Sequence, residues 1–109
     1  MKGKIVLVHF PFTNLTAAKL RPVLVIHEGD QNVAVAIISS RTPAHLSAAD
    51  LRVPADHPAF HDTGLKVSSI IKIDKIATIS KDLIEGEIGS IPTDLAVQGN
   101  TIVNQVFHL

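Results

Sequence analysis

Residues Leu20 to Ser40 read LRPVLVIHEGDQNVAVAIISS. Few folds accommodate such a stretch. Val23 to His27 is almost wholly apolar and rich in β-branched residues, as is Val33 to Ile38, and Glu28 to Asn32 between them holds Gly, Asp and Asn. This pattern predicts a strand, a short loop and a strand, most simply a β-hairpin. Pro22 has no N–H to give a ladder and suits the start of a strand. It also drives Arg21 into an extended conformation. Antiparallel pairing across the loop returns Ser39 to the neighbourhood of Arg21. A permanently charged guanidinium beside a hydroxyl suits a phosphate. An Arg before a strand is also an ordinary solvated flank, and serines after a strand are ordinary turn residues. This stretch alone leaves both readings open.

The chain has 109 residues, which predicts one domain spanning 1–109. With 46% apolar and 18% charged residues it belongs with globular chains rather than disordered ones. Cysteine is absent, so disulfides and thiolate metal sites are excluded. The sequence shows no signal-peptide pattern and no apolar run long enough for a membrane span, which predicts a cytoplasmic protein. Formal net charge is zero, yet residues 1–27 carry Lys2, Lys4, Lys19 and Arg21 and no acid, while residues 82–109 carry four acids and no Lys or Arg. A protein gripping long duplex DNA is usually more basic; a few phosphates in a small groove remain compatible.

Gly3 to Phe10 predicts a first strand that is apolar on both faces, as in a barrel or against a partner chain, with Pro11 ending it. Thr13 to Leu20 predicts a flexible loop. Arg41 to Leu65 is irregular, with Leu51 to Val53 a short strand. His57 and His61 have helical metal spacing, but Pro58 between them and the lack of a nearby Glu argue for exposed loop residues and no metal. Lys66 to Ser80 alternates with period two, which puts Lys72 and Asp74 on one strand face about 6.5 Å apart. Such a pair can flank a reacting phosphate, one accepting a proton and the other donating one or neutralising charge. It is equally the wet face of a half-buried strand. Ser80 predicts a cap for a helical turn over Lys81 to Leu83. Glu87 to Ile91 predicts a strand. From Pro92 the pattern predicts a terminal helix capped by Thr93, with Asp94 at its positive end and Leu95, Ile102, Val103, Val106 and Leu109 on one stripe. Gly99 weakens its middle. The expected fold is mostly β: antiparallel strands in an SH3-like partial barrel, closed by a C-terminal α-helix.

Gly3 to Val8 with Phe10-Pro11-Phe12-Thr13, then Lys19 to Ile26, then Ser69 to Ile76 with Thr78-Ile79, resembles the PemK/MazF toxin family in the same order along nearly the whole chain. The resemblance implies a homodimeric, metal-independent and cofactor-free ribonuclease that cuts single-stranded messenger RNA by attack of a 2′-OH on the adjacent phosphate. It implies a cognate antitoxin whose acidic tail fills the groove, and contact with operator DNA only through that complex. Arg21 would steady the phosphorane, Ser39 would supply the hydroxyl that is typically Thr, and Lys72 and Asp74 would take the acid and base positions. Lys19, Ser40 and Ser68 flank these as substrate-binding candidates. Three positions depart from the pattern: Lys4 where an acid is frequent, Ser39 for Thr, and Lys72, which lacks the planar guanidinium fork, for Arg. A non-catalytic binder on the same fold is the alternative. Its gyrase-poisoning form relies on a C-terminal Trp, and the chain has none. A base-stacking module is disfavoured because Tyr and Trp are absent and the four Phe are scattered.

Overall fold

A computed structural model describes residues 1–9, 19–41 and 43–109. The expected strand end at Phe10-Pro11, the loop from Thr13, and Phe12 lie outside those residues. The described chain forms β1 (Lys4–His9), β2 (Leu20–Glu28), β3 (Asn32–Ser39), β4 (Asp50–Val53), β5 (Ser69–Ser80), β6 (Ile84–Ser90) and α1 (Thr93–Val106). The strands make one antiparallel sheet in the order β4-β5-β3-β2-β1-β6.

One short connection forces this sheet to curl. Ser80 pairs with Asn32 at the hairpin tip, and Ile84 pairs with Val8, which itself pairs with Arg21 near the far end of β2. On a flat sheet β5 and β6 would be four strand spacings apart, roughly 19 Å, with a further offset of roughly 20 Å along the strands. The four residue steps from Ser80 to Ile84 span at most about 14 Å. Only a sheet rolled towards a barrel closes that gap. The turn that makes the closure is a 3-10 turn, Lys81–Leu83, and Ser80 Oγ caps it as expected by accepting from Asp82 N at 3.2 Å. Lys81 ties the turn to the hairpin tip. Its N–H donates to Gln31 O at 2.9 Å, and its Nζ donates to Glu28 at 2.8 Å and holds that carboxyl below its ordinary pKa.

Strand alternation sorts the apolar residues into two clusters. Val6, Val8, Val23, Val25, Val33, Val35 and Ile79 form one, a valine face. Ile5, Leu24, Ala36, Ile38, Ile71 and Ile73 form the other, covered by Leu51 and Val53 of β4 and by Leu95, Ile102 and Val103 of α1. Both faces of β1 are therefore buried within one chain, and its double-sided apolarity needs no partner.

Several expectations are corrected. The last strand begins at Ile84 rather than Glu87, because its ladder with β1 starts at Val8↔Ile84. Pro92, not Thr93, occupies the helix N-cap, and no side chain caps it; Thr93 is already the first helical residue. Gly99 remains a poor helix former, but it is buried against β4, where a Cβ would lie 3.4 Å from Leu51 Cδ2. Leu109, at the end of the expected stripe, is fully exposed. His57 is no exposed loop residue. Its side chain is 14% exposed and its Nε2 lies 2.8 Å from Asp94 Oδ2. Ala59 N donates to His57 Nδ1 at 3.0 Å, so the proton sits on Nε2 and points at the carboxylate. This bond ties the loop after β4 to the first turn of α1. His61 is exposed, as expected, and no metal-ligand cluster occurs among the described residues.

A 3-10 turn, Phe60–Thr63, packs against β6 so closely that two glycines are required. Gly64 has φ +72°, and a Cβ on Gly89 would fall 2.3 Å from Asp62 O. Gly89→Ala is expected to cost about 2–3 kcal/mol by overpacking. Gly86→Ala, where a Cβ meets nothing within 4 Å, is expected to stay within about 0.5 kcal/mol of wild type. Urea unfolding of the two variants checks the contrast. The His57 hydrogen bond lowers the Asp94 pKa from 3.8, so the clamp's contribution is complete above that value and is lost as pH falls through the lower folded value. The gap in urea midpoint between wild type and Asp94→Asn is expected at about pH 5 and should close as the solution is acidified below Asp94's folded pKa.

Candidate active site

The β2–β3 ladder ends early. Its last pair is Val23↔Ile37, one residue short of Pro22. Both strands nevertheless continue: β2 reaches Leu20 opposite His9 of β1, and β3 reaches Ser39 opposite Ile70 of β5. Position 22 adds no donor to a ladder on either side. The two strand ends part, and a groove of about 680 Å³ opens in the gap. Leu20, Arg21 and Pro22 form one wall, and the run from Ile37 through Arg41 forms the other. Leu7 and Ile88 and the segment Gly64 to Val67, with Ser69, complete it.

Arg21, Ser39 and Ser40 thus meet at one cleft, as the hairpin argument expected. Ser39 Oγ accepts from Arg41 N at 3.1 Å. That bond anchors the strand exit and leaves the hydroxyl proton free to donate. Arg21, Arg41 and Lys66 are exposed, no ion pair involves them among the described residues, and no Asp or Glu is among the described lining. In a chain of zero net charge, the cleft is a local concentration of positive charge.

The remaining predicted residues stand around this cleft rather than in it. Ile37 pairs with Lys72, which pairs with Asp50 of β4. Lys72 is therefore a diagonal neighbour of Ser39, about 7–8 Å away, on the face that carries Val23 and Ile37. Its Nζ lies 3.8 Å from Asp50 Oδ1, a carboxylate with only 5% of its side chain exposed. Asp74 is exposed, in a bulge: Ile37 pairs with Lys72 but Ala36 with Ile76, so Ile73, Asp74 and Lys75 have no partner on β3. It stands one pleat beyond Lys72 and about 13 Å along β5 from Ser39's partner Ile70. Ser68 Oγ accepts from Ala55 N at 2.7 Å, which fastens the loop after β4. Lys19 is exposed just before β2 and is not among the lining.

Sequence reasoning missed Asp50, Arg52, Arg41 and Lys66. Arg52 pairs with Ile70 and so falls in the cross-strand row of Ser39. Arg41 was one residue past the two serines. Lys66 carried no local signal, because a turn far from the hairpin in sequence brings it to the cleft.

The antiparallel sheet with its C-terminal helix matches the fold of a known class of small toxins. Residues 1–107 match the model of the PemK-like, MazF-like toxin of type II toxin-antitoxin systems, and the chain belongs to that family. The Mycobacterium tuberculosis toxin MazF-mt6 is similar in structure with a TM-score of 0.75 at 22% identity, covering 97% of both chains. An endoribonuclease in complex with its cognate antitoxin, from a Mycobacterial species, gives 0.75 at 12% identity and covers 100% of this chain and 95% of that one. A MazE-MazF structure from Deinococcus radiodurans gives 0.72 at 15% identity, covering 99% and 94%. No curated protein matches the chain.

Lys72 is the countercharge of a nearly buried carboxylate whose other oxygen accepts from Ser47 N at 2.9 Å. Lys72→Met is expected to destabilise the fold by about 1 kcal/mol, and adding Asp50→Asn should recover most of the loss. Urea midpoints of the single and double variants report this. A Lys72→Met protein as stable as wild type would mean that the pair is not holding β4 to β5.

Proposed function

We propose that the chain is a toxin that acts as an endoribonuclease on single-stranded RNA. The observation that carries this reading is the cleft itself: Arg21 and Ser39, whose hydroxyl proton is free to donate, line it together at the parted strand ends, with no carboxylate in its described lining to repel a phosphate. The 2′-oxygen attacks the adjacent phosphorus and the bond from phosphorus to the 5′-oxygen breaks. The products are a 2′,3′-cyclic phosphate and a 5′-OH. The Arg21 guanidinium neutralises the charge that grows on the phosphorane, and Ser39 donates its hydroxyl proton to a phosphate oxygen. Lys72, a diagonal neighbour, adds positive charge and supplies the proton for the leaving oxygen. Asp74, further along β5, takes the 2′-OH proton from the ribose on the Lys72 side. No step draws on a metal or cofactor.

On the same reading the protein works as a homodimer in the cytoplasm of a prokaryote. It is held in check by a cognate antitoxin whose acidic tail competes for the cationic cleft, and it reaches operator DNA only within that complex. Membership in the toxin family and the antitoxin-bound structural relative support this assembly.

Purified protein is expected to cut single-stranded RNA in the presence of EDTA, leaving cyclic-phosphate ends. Arg21→Ala should lower kcat by about a hundredfold, as removal of a transition-state donor does, and Asp74→Asn should lower it comparably. RNA left intact at high protein concentration, or full activity in Arg21→Ala, would overturn the reading.

A further inference from the structure

Lysine is a poor substitute for a planar guanidinium, because its ammonium swings on a flexible four-carbon stem. The stem of Lys72 is steadied from outside the cleft. Directly across the ladder stands Asp50 of β4, whose Oδ1 lies 3.8 Å from Lys72 Nζ. Asp50 is itself held in place. Ser47 N donates to its Oδ2 at 2.9 Å, its own N–H donates to Ser47 O at 3.1 Å, and Ala49 N donates to Ser47 Oγ at 3.2 Å. Ser47 and Asp50 thus tie down one turn from both ends, much as a capping box does, although a strand follows rather than a helix. Ile73 N, next to Lys72, donates to Ala49 O at 3.0 Å and fastens this turn to β5. One carboxylate oxygen is taken by the turn, and the other is left for the amine.

The Asp50 side chain is 5% exposed and is not among the described lining of the cleft, whereas Lys72 keeps 25% of its side chain in solvent. Among the described residues no other cation comes within ion-pair distance of Asp50. A separation of 3.8 Å is too long for a hydrogen bond, so the three ammonium protons stay available to other acceptors. We propose that Asp50 is a positioning residue: it fixes the Lys72 ammonium as a diagonal neighbour of Ser39 and touches no substrate itself. Its anchored carboxylate restores from β4 the rigidity that a guanidinium fork carries within its own plane. The inference rests on the nuclease reading for what Lys72 then does to the RNA. The tether itself does not depend on that reading.

Asp50→Asn removes the charge and keeps an oxygen for Ser47 N. It is expected to lower kcat on single-stranded RNA about tenfold while KM stays within about twofold of wild type, the signature of a misplaced group rather than a lost binding contact. In the Lys72→Met background the same substitution should cause no further loss, because the group it acts through is gone. Asp50→Glu keeps the charge but moves it by one methylene. It should lower kcat as well, and it carries the test if Asp50→Asn does not fold. Reductive methylation read by mass spectrometry follows the tether without RNA. The methylation rate at Lys72, relative to exposed Lys2, should rise severalfold in either variant. Unchanged kcat, equal losses in the two backgrounds, or an unmoved rate at Lys72 overturns the proposal and leaves Asp50 a purely structural residue. If wild-type protein cuts no RNA at all, the nuclease reading fails, and methylation alone decides whether Asp50 holds the amine.

Discussion

The geometry of the site descends from a hydrogen bond that a proline cannot make. Pro22 sits where β2 would go on pairing with β3, and the ladder stops at its neighbour Val23. Each strand is still held on its other side, β2 by β1 and β3 by β5, so the ends diverge without fraying. Unpaired strand ends normally invite another chain. Here the gap is bordered by Arg21 and Arg41, whose charge discourages a neutral strand and favours a polyanion.

The curl of the sheet makes that gap usable. Because the short turn between β5 and β6 rolls the sheet, β6 passes behind the parted ends, and Ile88 with the Gly64 corner closes the far wall of the cleft. The same roll buries both faces of β1. A flat sheet with the same hairpin would leave Arg21 and Ser39 on an open edge. The close approach at Gly64 and Gly89 is therefore as much a part of the site as the cations are, although neither glycine offers a functional group.

What was legible in the sequence was whatever strand periodicity and turn chemistry determine locally. The hairpin, the return of Ser39 to the cleft that Arg21 lines, the Ser80 cap and the terminal helix all follow from short-range pattern. What was not legible depended on register and tertiary closeness. Period two placed Lys72 and Asp74 together, but it could not show that Asp50 takes up Lys72 or that three residues of β5 bulge away from β3. The 3-10 turn at Phe60–Thr63 hides in a Pro- and His-rich segment with no periodicity. His57 read as loop because its partner, Asp94, is 37 residues away.

The balance of charge explains how a neutral chain can have a cleft lined by cations alone among its described charged residues. Three of the ten acids pair with a lysine or the N-terminal amine, three more meet histidine nitrogens, and none of the ten borders the cleft among its described lining. At physiological salt the field of an exposed charge fades within about 8 Å. The cluster of Arg21, Arg41 and Lys66 is therefore felt by a strand already at the cleft and hardly at all from a distance. Such a surface does not gather duplex DNA, whose affinity is a sum over many phosphates. On the proposed nuclease reading, a flexible single strand that can bend one or two linkages into the gap suits so narrow a charged region better than a duplex does.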